Sequence, residues 1–224
     1  MEIADVRIQA ARPAELRRFY AETLGQPVSD HGDGFVATIG TSTLTITAAA
    51  PGESPAYHLA FTVPRNQLAS AKAWLAERTP LLTDADGRDE FRFDSWEASS
   101  VYFADPAGSI LELIAWEALA NDTPGPFGPA DLLCLSEVGL VVADVPEAVA
   151  GLGEVGFSPY QDDWSPEFAP VGDPTGRLIV VTTDRPWFPV GTPAAPAPLT
   201  VRLRGDRDAV VSLPNGAAEI TVTR

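Results

Sequence analysis

Cysteine is nearly absent: Cys134 is the only one, so no intramolecular disulfide can staple the chain. It stands in the apolar run 132–135, which suggests a buried, inert thiol. Histidine is almost as scarce, with only His31 and His58, so any site that needs several imidazoles is excluded. Basic residues are few as well. Fifteen Lys and Arg face 31 Asp and Glu, for a formal charge of −16, which argues against nucleic acid and against anionic membrane surfaces. No stretch approaches the roughly 20 consecutive apolar residues of a membrane span. Met1-Glu2 opens into patterned sequence without a basic leader, so a cytoplasmic protein without a signal peptide is expected.

Proline (21) and glycine (18) are plentiful in these 224 residues, which predicts many short elements and turns. Residues 5–11 alternate, with Asp5, Arg7 and Gln9 polar and Val6, Ile8 and Ala10 apolar, as in a half-buried strand. Pro13 opens a helix carrying Leu16, Phe19, Tyr20 and Leu24, and Gly25 ends it. Strands near Val28, at 35–39 and at 43–47 follow, with Asp33-Gly34 as a hairpin turn and His31 in its loop, solvated. The unit is βαβββ. It recurs from His58, with a helix after Pro64 and strands at 81–82, 101–103 and 110–115. An acidic insertion, 84–97, carries Phe91, Phe93 and Trp96 and is either a loop over a pocket or a flap on the sheet.

Residues 119–131 read as a linker, and a third copy begins at 137–142. Pro146 opens its helix, and strands are expected near 157–160, at 168–171 and at 178–182. Its turn Asp173-Pro174-Thr175-Gly176 echoes Asp105-Pro106-Ala107-Gly108 at the same place in the unit. The tail 199–224, with a hairpin turn at Pro214-Asn215-Gly216, is a degraded fourth copy or a set of strands completing the third. The expected architecture is α+β, built of tandem βαβββ modules. Residues 1–118 would form one module pair and 132–224 a degenerate second pair.

Strand periodicity also selects faces. Leu111 and Leu113 belong under the helices, which turns Glu112 toward the pocket; the same alternation turns Asp5, Thr45 and His58 that way. A carboxylate among Ile110, Leu111, Leu113 and Ile114 needs a partner or a metal. Glu137 stands at the position of Asp5 and His58, but Ile179 and Val180 replace the echo of Glu112, so the third module is expected to be structural or a lid. Trp164, Phe168 and Trp187-Phe188 are expected in the core.

Phe19-Tyr20 with Leu24-Gly25, His58 opening the second module, and Asp105 through Leu113 closing it form an ordered set. In that set the chain resembles the vicinal oxygen chelate superfamily of glyoxalases, extradiol dioxygenases, fosfomycin-resistance enzymes and bleomycin-binding proteins. The layout is also similar to a bacterial group of glyoxalase/bleomycin-resistance-like proteins of this length. The resemblance implies tandem βαβββ modules whose curled mixed sheets enclose a concave pocket, with a divalent metal (iron, manganese, zinc or nickel) held there from the first and fourth strands of paired modules. Those positions fall at Asp5, Thr45, His58 and Glu112. It implies a small-molecule ligand, with Glu112 catalytic and Arg7, Thr45, Tyr102 and Trp96 shaping the substrate site. Two activities stay open: a metal-dependent lyase or dioxygenase, and metal-free sequestration of a small ligand. In the metal-free case, Arg7 would pair with Asp5 or Glu112. Unpaired sheet edges leave a homodimer open.

Overall fold

A computed structural model describes residues 1–213 and 218–224. The expected Pro214-Asn215-Gly216 turn lies outside the described residues. The first module comprises β1 (Glu2–Ala10), α1 (Pro13–Arg18) continued by a π-turn over Phe19–Thr23, β2 (Val28–His31), β3 (Gly34–Ile39) and β4 (Ser42–Ala48). Proline at the start of α1 fits because the first helical N–H has no partner within the helix. Gly25, at φ +65°, ends the segment in the left-handed region. The first hairpin turns at Gly32-Asp33, one residue earlier than expected, so Gly34 already pairs in β3.

The second module holds β5 (His58–Thr62), α2 (Leu68–Ala76), β6 (Leu81–Leu82), β7 (Phe91–Phe93), β8 (Ala98–Ala104) and β9 (Ile110–Trp116). The turn between β8 and β9 is fastened by Asp105, whose Oδ1 accepts from the N–H groups of Ala107 and Ser109, both at 2.9 Å. Gly108 takes φ +85° there. The third module has β10 (Cys134–Val142), α3 (Val145–Glu154), β11 (Phe168–Asp173) and β12 (Gly176–Thr182). Asp144 caps α3 by accepting from Glu147 N–H at 2.8 Å. Asp173 repeats the turn chemistry of Asp105, accepting from Thr175 N–H at 2.8 Å. The strand expected at 157–160 does not form. Pro159 makes one isolated bridge to Val171, and Tyr160–Asp162 is a 3-10 turn. A small hairpin, β13 (Pro186–Trp187) with β14 (Thr192–Pro193), precedes β15 (Leu199–Arg204), β16 (Ala209–Ser212) and β17 (Ala218–Thr223).

The strands form two large mixed sheets, ordered β16-β17-β15-β1-β4-β3-β2 and β11-β12-β10-β5-β9-β8-β6. Each sheet joins two modules by antiparallel pairing of their first strands, β1 with β15 and β5 with β10. Within every module the first strand runs parallel to the last: β1 with β4, β5 with β9, β10 with β12, β15 with β17. The tail is therefore a fourth module without a helix, and it completes the first module's sheet, not the third's. The expected division at 118 is corrected accordingly, since β1–β4 and β5–β9 belong to different sheets. Chain-order modules carry near-identical patterns, so nothing local selects which first strands pair.

One apolar cluster serves both sheets and the three helices. It includes Val6, Ile8, Leu44 and Ile46 from one sheet and Leu59, Phe61, Leu111, Leu113, Val138 and Leu140 from the other. Leu16, Leu75 and Leu152 come from the helices. Among the described residues no helix is long and apolar enough to cross a membrane.

Candidate metal centre and its cavity

The polar face of the eight-stranded sheet is where chemistry gathers. On β5, Leu59 and Phe61 enter the core, so His58 and Ala60 face the other way. Register sets Ala60 beside Glu112 of β9, and Glu112 beside Tyr102 of β8. Across the module boundary Ala60 is also opposite Glu137 of β10. A β-bulge puts Glu137 there. The β5–β10 register slips between Leu135 and Glu137, so Leu135 and Val138 both reach the core though three residues apart. Without the slip, Leu135 and Glu137 would share a face.

His58, Glu112 and Glu137 are thereby brought together, all buried, each with a ligand atom within 4.8 Å of the others. His58 Nε2 lies 3.6 Å from Glu112 Oε2 and 3.9 Å from Glu137 Oε2. His58 Nδ1 is 3.2 Å from the carbonyl of Ile110, so it donates there and leaves Nε2 aimed at the carboxylates. A second-site bond of this kind fixes the tautomer of a metal-binding imidazole. Trp187 packs on the ring, with centroids 5.1 Å apart.

Arg177, opposite Glu137 on β12 and fully buried, donates to Glu137 Oε1 through Nη2. Its guanidinium lies 4.0 Å from the Trp96 ring centroid and 4.1 Å from that of Trp116, in cation–π contact with both. Burial alone would push the Glu137 carboxyl up, but the charge of Arg177 and the contacts to His58 outweigh it and hold it below its ordinary value. Glu112 has no such cation. Burial, reinforced by the charge of Glu137, pushes it up to about 7. Burial acts against the charged form of His58, but the nearness of Glu137 and the charges of both glutamates raise it overall. Burial, then the charges of Glu112 and Glu137, hold the Tyr102 hydroxyl protonated well above its usual range.

With both carboxylates ionised and the imidazole neutral, the forms that bind a metal, one guanidinium leaves one negative charge in a buried space. That donor set fits a hard or borderline divalent cation. Three protein ligands leave coordination positions for water or substrate. The cluster forms the floor of a cavity of about 260 Å³. Its walls include Phe93 and Trp96 from the insertion, Phe168 from β11, and Trp187 and Phe188 from the β13–β14 hairpin. The insertion thus packs on the sheet, through β7 against β8, and walls the cavity at once. The expectation of core aromatics holds in part: Phe168 and Trp187 pack, half-buried, on the apolar cluster of Ile179, Val181 and Ala194 and also line the cavity, whereas Phe188 and Trp164 are exposed. The cavity's own aromatic rings hold Phe168 and Phe188 in place: Phe168 stacks on Trp96, and Phe188 meets Phe91 and Tyr102 edge to face.

His58 and Glu112 meet at this cavity on the face that strand alternation implied, and Tyr102 and Trp96 line it with them. Asp5, Arg7 and Thr45 do not. They lie in the seven-stranded sheet, where Asp5 accepts from Arg7 Nε at 2.9 Å and from Thr43 Oγ1 at 2.6 Å. Asp5 is satisfied within its own sheet, and Arg7 does not reach Glu112. The residues missed were Glu137 and Arg177. A lone carboxylate at the His58 position of an apolar strand was the available signal for Glu137. Arg177 carried none, being an ordinary strand residue by sequence. Cys134 is half-buried, and burial pushes its thiol up, as expected of an inert group.

No protein-family model matches the chain, and no curated protein matches it in sequence. Among solved structures, it is similar to a candidate dioxygenase from Bacillus subtilis subsp. subtilis str. 168 at 16% identity and a TM-score of 0.62. That match covers 99% of this chain and 85% of the other. It is also similar to glyoxalase I from Zea mays at 13% identity and a TM-score of 0.56, covering 99% of this chain and 91% of the other. At these identities the likeness is one of fold. The chain has the vicinal oxygen chelate fold along almost its whole length.

Proposed function

We propose that His58 Nε2 and the carboxylates of Glu112 and Glu137 hold a divalent metal, and that the protein is a metal-dependent lyase acting on a small substrate with two adjacent oxygens. The observation that carries this reading is the convergence of the three ligand atoms within 4.8 Å on the floor of an aromatic-walled cavity. The fold it shares with a glyoxalase I and a candidate dioxygenase is in keeping with it. When bound, the metal supplies a Lewis acid that draws electron density from the chelated oxygens.

The chain's own residues do the rest. Arg177 keeps Glu137 ionised and oriented as a permanent ligand. Ile110 holds the His58 ring by its Nδ1–H. Glu112, the carboxylate without a cation partner, is the one to take up and return a proton beside the chelated oxygens. Two carboxylates and one imidazole favour proton transfer over the two-His, one-carboxylate chemistry of non-haem iron oxygenases. Trp96, Phe93 and Trp187 restrict water around the reacting centre.

A second reading, metal-free ligand binding, is favoured by one feature: the Glu137–Arg177 pair already neutralises one of the two carboxylates. Elemental analysis of protein purified without chelators separates the two. One metal per chain, lost in His58→Ala and in Glu137→Gln and kept in Asp5→Asn, is the expected result. Metal-free protein that also fails to take up Mn²⁺, Zn²⁺ or Ni²⁺ on titration would refute the metal reading.

A further inference from the structure

The hairpin segment 183–198 is a strap between the third and fourth modules, and it closes one side of the cavity with Arg185, Trp187 and Phe188. Its base is tied by backbone bonds, Asp184 N–H to the Ala194 carbonyl at 2.7 Å and Ala194 N–H to the Arg185 carbonyl at 2.9 Å. Arg185 is therefore held in place at the rim, half-buried, with its guanidinium carbon 4.6 Å from the Phe168 ring centroid.

In a chain with 31 acidic and 15 basic residues, most cations find a carboxylate. Arg7, Arg12, Arg17, Arg65, Arg88 and Arg92 all do. Arg185 forms no side-chain hydrogen bond or ion pair among the described residues, although burial disfavours its charge and Glu167 acts on it only at longer range. Asp163, which also lines the cavity, is engaged by Trp96 Nε1 at 3.0 Å. A partly desolvated, oriented and unpaired guanidinium is costly unless it has a ligand to meet. Its planar fork matches a carboxylate.

We propose that Arg185 is the anion-recognition residue of this cavity, and that the ligand is a small aryl carboxylate whose ring lies among Phe93, Trp96, Phe168 and Trp187. The polarity of the cavity supports it: the buried glutamates are at the floor, aromatic faces are between, and Arg185 is the one arginine or lysine among the lining residues, with the exposed Asp163 held by Trp96. The volume of about 260 Å³ suits a single ring with a short acidic side chain, below the usual range for larger ligands. This assignment rests on the cavity being the working site proposed above, but does not depend on the metal.

The test uses 3-phenylpropionate and its uncharged amide, 3-phenylpropanamide, titrated by tryptophan fluorescence into chelator-treated and into Zn²⁺-loaded full-length protein. Neither probe carries adjacent oxygens on its ring. The acid is expected to bind about tenfold or more tightly than the amide in both forms, as a hydrogen bond to a charged group provides. Arg185→Gln should remove that preference while leaving amide binding unchanged, and Arg185→Lys should restore part of it. Equal binding of acid and amide, a preference that survives Arg185→Gln, or binding of neither probe would overturn the proposal. A preference that survives Arg185→Gln but vanishes on removing the metal would put the carboxylate on the metal, sinking this proposal while sparing the metal reading. An Arg185-dependent preference in a protein that takes up no metal would uphold it while the metal reading fails.

Discussion

Replacing Arg177 by methionine should destabilise the protein sharply, and the size of the loss follows from what surrounds the guanidinium. It is fully buried, it is the only cation bonded to Glu137, and it lies against two indole rings. Methionine fills much of the space between Trp96 and Trp116 but leaves Glu137 ionised, buried and beside Glu112. Breaking one partner of a buried ion pair costs about 3–5 kcal/mol, and the lost cation–π contacts fall within that figure. In a chain of this size the melting temperature should drop by about 6–20 °C. Glu137→Gln should also destabilise, because it strands the guanidinium. The double variant Arg177→Met/Glu137→Gln should cost less than the two single changes summed, with a coupling energy of about 2–3 kcal/mol. Urea or thermal denaturation of the four proteins, after chelator treatment, measures the cycle. Glu137 has its folded value lowered, so its contribution is present above the ordinary carboxylate range and fades as pH falls through the lowered value. The cost of Arg177→Met should accordingly shrink in acid. A cost below about 1 kcal/mol at neutral pH, or strictly additive single variants, would refute the account of Arg177 as the cation that makes Glu137 tolerable in the interior.

Glu112 gives the opposite pH dependence. Its folded value is raised to about 7, above the ordinary carboxylate value, so the folded protein binds the proton that the unfolded chain has lost. Stability of the chelator-treated protein should therefore fall as pH rises from about 4.5 to about 7, by on the order of 3 kcal/mol from this group. Glu112→Gln should flatten that fall in a denaturation series, and an unchanged slope would count against the raised value. Gly139→Ala is the third case. A Cβ there would sit 2.8 Å from Trp187 Cη2 and 2.9 Å from His58 Cβ, so both rings must shift. About 1–3 kcal/mol of stability should be lost, with weaker Zn²⁺ affinity by competition titration. Retention of both would show that the His58–Trp187 packing is slack.

Much of this was legible from residue patterns. The βαβββ unit showed in alternation broken by Pro13, Pro64 and Pro146, because strand and helix periods differ and proline marks the helix start. His58 and Glu112 were assigned to the same face by period-two counting, and the structure sets them 3.6 Å apart. Module pairing was not legible. β1, β5 and β10 present similar apolar faces, and the choice between them is made by packing across the whole core. The assignment of Asp5, Arg7 and Thr45 to the site failed with it. Glu137 was visible as a charge in an apolar strand, but the absence of a carboxylate at Ile179 hid its role. The site is asymmetric and takes one ligand, not two, from the third module.

That asymmetry shows which part of the device is backbone and which is side chain. β1 carries the same irregularity as β10: its register against β15 slips between Ile3 and Asp5, and Ile3 and Val6 both reach the core. Asp5 is thereby turned onto its sheet's polar face just as Glu137 is turned onto the other. The bulge belongs to the fold, since both sheets have it at the same point. The outcomes differ because of the strands alongside. Beside Glu137, the neighbouring module supplies His58 and Glu112, and a buried arginine on β12 meets only one of the two carboxylates. Beside Asp5, Thr43 on β4 donates to the carboxylate and Arg7 from the same strand neutralises it. One sheet leaves a carboxylate uncompensated beneath a cavity, and the other leaves none. A single backbone feature therefore places an acid in each sheet, and the surroundings differ: Arg7 and Thr43 answer Asp5, while beside Glu137 and its arginine stands a second buried carboxylate, Glu112, with no arginine of its own.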